Sequence, residues 1–253
     1  MRKPGAGVAL TPDQERVAAS GVKAMVSVGR PFLDHVLSEL ADAGFTDVVL
    51  VIGPEHDQIR DHYRSLPLHR VRIRFAVQEQ PLGTANAVQA AATVVGDDRF
   101  LVINSDNFYP AEALRQLHHA RGAATLGFEA ATLVAQSNIP AERVDSYALL
   151  TTDEDGFLSG IVEKPTPAQR AALGARARVS MNAWLLTPAF FPAANSIGRS
   201  SRGEYELADA ALAMIQAGEW IEVIGVESGS LDLARRSDIA AVAAALADHQ
   251  VYL

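Results

Sequence analysis

The stretch Phe100-Leu-Val-Ile-Asn-Ser-Asp-Asn-Phe-Tyr109 decides how the rest of the chain is read. Its first four residues, Phe100 to Ile103, make a short apolar run suited to a strand buried on both faces. The run stops at Asn104-Ser105-Asp106-Asn107. In open α/β sheets, ligands gather beyond the carboxyl ends of strands. A carboxylate there suits a divalent metal on a phosphate. It equally suits a helix cap or a turn, which favour Asp and Asn. The surrounding chain tips the balance toward the metal.

Upstream, Val71 to Val77 reads as a strand that runs into Gln78-Glu-Gln-Pro-Leu-Gly83-Thr84. A small-residue helix, Thr84 to Val95, follows, and small residues let a helix lie close to a sheet. Gly83 lets a ligand approach the backbone, and it also serves as a turn glycine. Further back, Asp47 to Ile52 is a strand ending at Gly53-Pro54, and His56 to Leu66 an amphipathic helix. Pro31 opens an earlier helix whose apolar face is Phe32, Leu33, Val36, Leu37 and Leu40, with Gly44 as its stop. Strands alternating with helices from Arg30 to His119 predict a parallel, doubly wound sheet. Met1 to Gly21 holds no clear strand, and Gly5-Ala6-Gly7 is too little to make a phosphate loop.

Downstream, Ala123 to Phe128 is a further strand. Tyr147 to Thr152 and Phe157 to Val162 flank Asp153-Glu-Asp-Gly156 as a hairpin whose second arm ends at Glu163-Lys164-Pro165. Thr166 starts a short helix. Val179 to Leu186 and Glu219 to Val226 are later strands, separated by a helix that carries Glu206, Asp209, Leu212 and Ile215. Ser237-Asp238 caps a last helix. His118-His119 has no further ligands in register and reads as surface.

The bulk composition narrows the classes. A chain of 253 residues with 49% hydrophobic content fits one large α/β domain or two small ones, with a sizeable core. A net charge of -8 disfavours a nucleic-acid or anionic-membrane surface. The absence of cysteine excludes disulfides and thiolate metal sites. No apolar run reaches the ~20 residues of a membrane span. No signal-peptide pattern opens the chain, so a cytoplasmic protein is expected.

Taken in order, several motifs resemble the sugar-phosphate nucleotidyltransferases, or nucleotide-sugar pyrophosphorylases. They are Lys23 with Val-Gly-Arg-Pro31; Gln78 through Gly83-Thr-Ala85; Asn104-Ser-Asp106-Asn; Tyr147-Ala148; Glu163-Lys164-Pro165; Asn182; Arg202-Gly-Glu-Tyr-Glu206-Leu-Ala-Asp209; and Leu231-Asp232. The resemblance implies an α/β fold with a Rossmann-like, mostly parallel central sheet flanked by helices, and a smaller sugar-binding lobe. Residues 1–253 would form one nucleotidyltransferase domain, with a nucleotide half to about 120 and a sugar-phosphate half from about 121 to 253. The implied reaction joins a nucleoside triphosphate to a sugar 1-phosphate, giving a nucleotide sugar and pyrophosphate. Such a reaction needs cations to neutralise two anions and in-line alignment, and no covalent nucleophile.

Site roles follow from the same resemblance. Lys23 would meet the triphosphate, and Gln78, Gly83 and Thr84 would hold the nucleotide. Tyr147, Glu163, Lys164 and Asn182 would hold the sugar phosphate. Lys23, Asp106 and Lys164 would serve catalysis, and Asp106 with Asp209 would bind Mg²⁺. Bland readings stand beside these: an exposed lysine before a strand, a solvated Glu-Lys pair, a solvated acid early in a helix. The implied partners are the two substrates, with no nucleic acid and no membrane; a homo-oligomer stays open. Two rivals share the fold class, a catalytically inactive nucleotide- or sugar-binding homologue and a glycosyltransferase that uses nucleotide sugars. Ala148 replaces the glycine usual in the family. The family's opening strand and Leu-Ala-x-Gly-x-Gly-Thr-Arg-Met loop are also missing, and Met1-Arg2-Lys3-Pro4 resembles the tail of that loop. The natural reading frame is therefore expected to extend upstream. The 253-residue chain is expected to be poorly stable or to rely on another segment, with little activity.

Overall fold

The computed structural model describes residues 22–253; the Met1–Gly21 stretch, with Gly5-Ala6-Gly7, lies outside the described residues. Lys23–Met25 forms a single 3-10 turn. Then come α1 (Phe32–Asp42), β1 (Asp47–Ile52), α2 (Asp57–Ser65), β2 (Arg72–Val77), α3 (Thr84–Ala90), α4 (Ala92–Val95) and β3 (Phe100–Val102). The predicted helix from Thr84 to Val95 is thus broken at Ala91, whose amide bonds back to Gln89 and Val88 and tightens the turn. Next are β4 (Asn107–Phe108), α5 (Ala111–His119), β5 (Ala123–Phe128), α6 (Ala130–Ala135), α7 (Ala141–Val144), β6 (Leu149–Thr152) and β7 (Leu158–Val162). The chain closes with α8 (Pro167–Leu173), β8 (Arg178–Leu186), α9 (Phe190–Ser196), α10 (Leu207–Gln216), β9 (Ile221–Val226), β10 (Leu231–Asp232) and α11 (Ile239–Ala245).

The expected α/β architecture is present: a central sheet flanked by helices. Its strand order is β7-β6-β8-β5-β9, with β3 also paired to β8. The parallel ladders are β1–β2 and β5–β9. The remaining ladders of the large sheet are antiparallel, because β8 runs against β3, β5 and β6. β6 and β7 form the predicted hairpin.

β8 shows how the sequence builds two cores. Its residues alternate between faces, as strand geometry requires. Val179, Met181, Ala183 and Leu185 join one core with Phe32 and Leu37 of α1 and Leu114 and Leu117 of α5. Trp184 and Leu186 join the other, with Val88 of α3, Phe190 of α9 and Met214 of α10. Helices therefore cover both faces. Thr166 caps α8 through a reciprocal Thr166–Gln169 box, as its place before Pro167 predicts.

α1 carries an unusual buried polar set. His35 is 3% exposed, and its Nδ1 lies 2.9 Å from Nδ1 of His249. Nε2 of His249 lies 2.7 Å from a Glu39 carboxylate oxygen. With that Nε2–H given to Glu39, Nδ1 of His249 accepts, so His35 donates from Nδ1. Nε2 of His35 then faces no partner, and a proton there would be buried without an acceptor. Burial, then His249 and Arg30, push the His35 pKa down to about 4, against the pull of Asp34. Asp34 is itself held by Arg30, Tyr63 and His62. The unfolded chain takes up this proton near pH 6.5 and the folded chain only near pH 4. Acid between those values therefore favours unfolding. The melting temperature is expected to fall from pH 7 to 4.5, and His35→Gln to flatten that slope. An unchanged slope in the variant would reject the assignment.

Candidate active site

The apolar run of β3 ends in a turn, closed by the Asn107 amide on the Asn104 carbonyl, that presents Asp106. Lys23 reaches it from the 3-10 turn near the amino terminus, with Nζ 2.8 Å from Asp106 Oδ2. Both side chains are partly open to solvent, which screens their attraction. The two-residue ladder of β4 and β10 pairs Asn107 with Asp232 and so brings a second carboxylate to the same turn. The Leu233 amide bonds the Asp106 carbonyl, which fixes the register. Asn138 clamps the Asp232 backbone, accepting from its N–H and donating to its C=O.

Asp232 is 6% exposed. Its Oδ2 accepts from the Tyr147 hydroxyl at 2.7 Å and from Arg143 at 3.3 Å. Arg143 also forks onto Asp238, at 2.8 and 3.1 Å. Burial raises the Asp232 pKa and the Asp106 charge adds to this, while the Tyr147 hydrogen bond opposes it. The Asp238 hydrogen bond in turn holds the Arg143 guanidinium charged. Oδ1 of Asp106 and Oδ1 of Asp232 accept no hydrogen bond among the described residues. Two hard oxygen donors, each with a spare lone pair, fit a divalent cation completed by phosphate oxygens and water. No group of three or more His, Asp or Glu side chains that could hold a metal unaided occurs among the described residues.

Asp209 is placed elsewhere. The apolar face of α10, with Leu207, Ala210, Ala211 and Met214, turns inward and leaves Asp209 on the exposed side. It lines a shallow recess with Ser196, Arg199 and Gln216. Burial and Glu206 raise its pKa and Arg202 lowers it; Asp106 is not among the charges acting on it. The carboxylate paired with Asp106 by position and field is Asp232, which sequence reasoning quoted in Leu231-Asp232 without a role.

The other expected residues fall into two groups. In the first, Gln78 at the end of β2 donates to the Gly83 carbonyl and to Asn86. Gly83 adopts φ +111°, and a Cβ there would sit 2.5 Å from the Tyr205 carbonyl. That crowding reflects backbone pairing: the Tyr205 amide bonds Leu82, and the Ala85 amide bonds Tyr205. Thr84 Oγ1 accepts from the Leu207 amide at 2.9 Å. Thr84 also lines one cavity with Lys23 and Asp106, so the turn after β2 and the turn after β3 share a space.

In the second group, Leu149 pairs with both Val162 and Val179, so Tyr147-Ala148, Glu163-Lys164 and Ser180–Asn182 converge on one edge. The Ser180 amide donates to the Ala148 carbonyl. Glu163, Lys164 and Asn182 are exposed. Lys164 and Asn182, at φ 45° and 61°, are the two non-glycine residues with positive φ among those described. Such strained conformations concentrate at ligand clamps. Tyr147 ties the second group to the Asp106–Asp232 turn through its hydrogen bond to Asp232. His118 and His119 are exposed, as expected.

Comparison with known proteins bears on this arrangement. Residues 15–247 match the family described as Nucleotidyl transferase. The chain is 28% identical over 222 residues to the UTP–glucose-1-phosphate uridylyltransferase AglF of Haloferax volcanii, covering 85% of this chain and 84% of that one. It is also 28% identical to a glucose-1-phosphate thymidylyltransferase of Streptomyces antibioticus, over 93% of this chain and 62% of that longer one. Among solved structures, a UDP-glucose pyrophosphorylase from Acinetobacter baumannii superposes with a TM-score of 0.69 at 20% identity, covering 90% of this chain and 86% of that one.

Proposed function

The chain belongs to the nucleotidyl transferase family, and from that premise we propose that it transfers the nucleotidyl group of a nucleoside triphosphate to a sugar 1-phosphate. An oxygen of the sugar 1-phosphate attacks the α-phosphorus, the bond to the β-phosphate oxygen breaks, and pyrophosphate leaves. The observation that carries this reading is the cluster Lys23–Asp106–Asp232–Tyr147 at the end of β3.

In this scheme Gln78, Gly83 and Thr84 hold the nucleotide, and Gln78 keeps its amide oxygen for a base edge. Lys23 moves between Asp106 and the triphosphate, placing its charge where negative charge develops. Asp106 and Asp232, rather than Asp209, hold Mg²⁺. When bound, the ion neutralises phosphate charge and orients the two reacting groups. Arg143 and Tyr147 hold Asp232 in place. Glu163, Tyr147 and Asn182 face the sugar, and Lys164 its phosphate. No helix of the described residues is long and apolar enough to cross a membrane.

The deciding assay measures pyrophosphate release across a panel of nucleoside triphosphates and sugar 1-phosphates. A binding homologue, or a glycosyltransferase that consumes nucleotide sugars, releases none from that mixture. The lobes separate in a variant. Lys164→Ala removes a charge-assisted contact worth about 1.5–3 kcal/mol, or roughly 10- to 100-fold in affinity. The KM for the sugar 1-phosphate is expected to rise by that factor while the KM for the triphosphate changes by less than about threefold. Equal losses for both substrates would count against this placement of Lys164.

A further inference from the structure

His249 follows α11, and both nitrogens of its ring are engaged by α1, Nδ1 with His35 and Nε2 with Glu39. Its side chain is 19% exposed and that of Glu39 13%. Two further contacts lead from this pair to the candidate active site. Glu39 accepts a second hydrogen bond, at Oε2, from the Ala111 amide at the start of α5. The Phe108 ring meets the His249 ring edge-on, with centroids 5.3 Å apart at 89°.

Both contacts fall on one short link. Asp106 sits in the turn after β3, β4 is Asn107–Phe108, and α5 begins at Ala111. The link depends on support from outside. β4 pairs with β10 over two residues. Pro110 precedes α5 and has no side-chain oxygen to offer the first amides of the helix. Glu39 supplies that acceptor from α1, and the helix dipole favours a carboxylate at this end. The orientation of Glu39 is fixed in turn by His249, which donates from Nε2 to Oε1. Ser230, the residue before β10, holds the Phe108 carbonyl.

We propose that His249 is a positioning residue for the Asp106 turn: through Phe108 and Glu39 it fixes both ends of residues 108–111, the link on which that turn rests. It acts through these two residues and not on the reacting groups. The inference takes the role of the turn from the nucleotidyl transfer proposed above. Asp106 and Asp232 serve one cation only while a two-residue ladder keeps them side by side. Slack in the link therefore costs turnover more than it costs substrate binding.

The test compares the parent with His249→Ala, His249→Gln and Tyr252→Ala. The Gln side chain still donates to Glu39. Tyr252 is 60% exposed and perturbs the same segment without touching the relay. Amide hydrogen exchange at residues 107–113 is read by mass spectrometry without substrate, and pyrophosphate release gives kcat and KM. In His249→Ala, exchange at 107–113 is expected to quicken at least about tenfold while β5 keeps its protection. Its kcat is expected to fall about tenfold, with both KM values within about threefold of the parent. His249→Gln should restore both readouts to within about threefold, and Tyr252→Ala should leave both unchanged. Should the Ala variant fail to fold, His249→Phe keeps the ring volume, loses the bond to Glu39, and is expected to show the same losses. Unchanged exchange or turnover, quickened exchange shared equally by β5, a Gln variant no better than the Ala variant, or an equal loss in Tyr252→Ala would each overturn the proposal. A parent that releases no pyrophosphate would reject the transfer reading instead, and exchange would still decide whether His249 holds the link.

Discussion

Replacing Asp106 by asparagine will lower turnover by about a thousandfold, roughly 4 kcal/mol of transition-state stabilisation, with little change in melting temperature. The substitution keeps the shape of the side chain and removes its charge. Asp106 is partly exposed and, among the described residues, held by the Lys23 side chain alone, so the fold loses little. The reaction loses a hard anionic oxygen donor, and Lys23 loses the partner that positions it. Asp232→Asn is expected to match this loss. Asp209→Asn should stay within a few-fold of the parent, because Asp209 lies on the exposed side of α10 beside Glu206 and Arg202. Steady-state pyrophosphate release at saturating Mg²⁺ decides among the three. Near-normal turnover of the Asp106 variant, or a severe loss in the Asp209 variant, would sink the assignment.

Arg143→Ala will cost about 3–5 kcal/mol of stability, the loss seen when one partner of a buried ion pair is removed. Arg143 is 9% exposed in its side chain, and Asp232 and Asp238 are 8% and 6%. Without the guanidinium, two buried carboxylates stand close together without a counter-charge, and Asp238 also loses the fork that fixes the start of α11. Tyr147 keeps a single hydrogen bond to Asp232 and cannot neutralise it. Urea denaturation of parent and variant measures the difference. A loss below about 1 kcal/mol would show that water reaches this cluster and solvates the carboxylates.

The two halves of the sequence were legible to different degrees, for a physical reason. From Arg30 to His119, strand and helix alternate with clear periods and clear stops, and apart from the break at Ala91 and the short β4 the elements fall close to where those signals place them. The hairpin of β6 and β7 was equally local. The partners of β8 were not local. Its antiparallel neighbours are set by packing on two helix layers, and no turn between β5 and β8 announces their pairing. Asp232 was overlooked for a related reason. Its place beside Asp106 comes from a two-residue ladder with Asn107, and two residues have no period to read. Asp209 attracted attention because the family resemblance implied a second metal-binding carboxylate there, in Arg202-Gly-Glu-Tyr-Glu206-Leu-Ala-Asp209. The helix then turns it outward, through the same periodicity that buries Leu207 and Ala210. The strain at Lys164 and Asn182 carried no sequence signal, since neither residue is the glycine that such a backbone favours.

The contacts that close the site also set a timetable for its assembly. Thr84 and Leu207 lie 123 positions apart, Lys23 and Asp106 are separated by 83, and Tyr147 and Asp232 by 85. A chain made at about 5–20 residues per second takes roughly 6–25 s to pass from the first member of the longest pair to the second. Throughout that interval the Gly83 turn has no Tyr205 to lean on, and Asp106 has no Asp232 beside it. Substrate finds only part of its site on the nascent first half, because Tyr147, Glu163, Lys164, Asn182 and Asp232 are still unmade. The half-built sheet instead waits with open edges, a state in which chains pair with one another. Growth temperature and holdase chaperones should therefore govern the yield of this protein more than its ligands do.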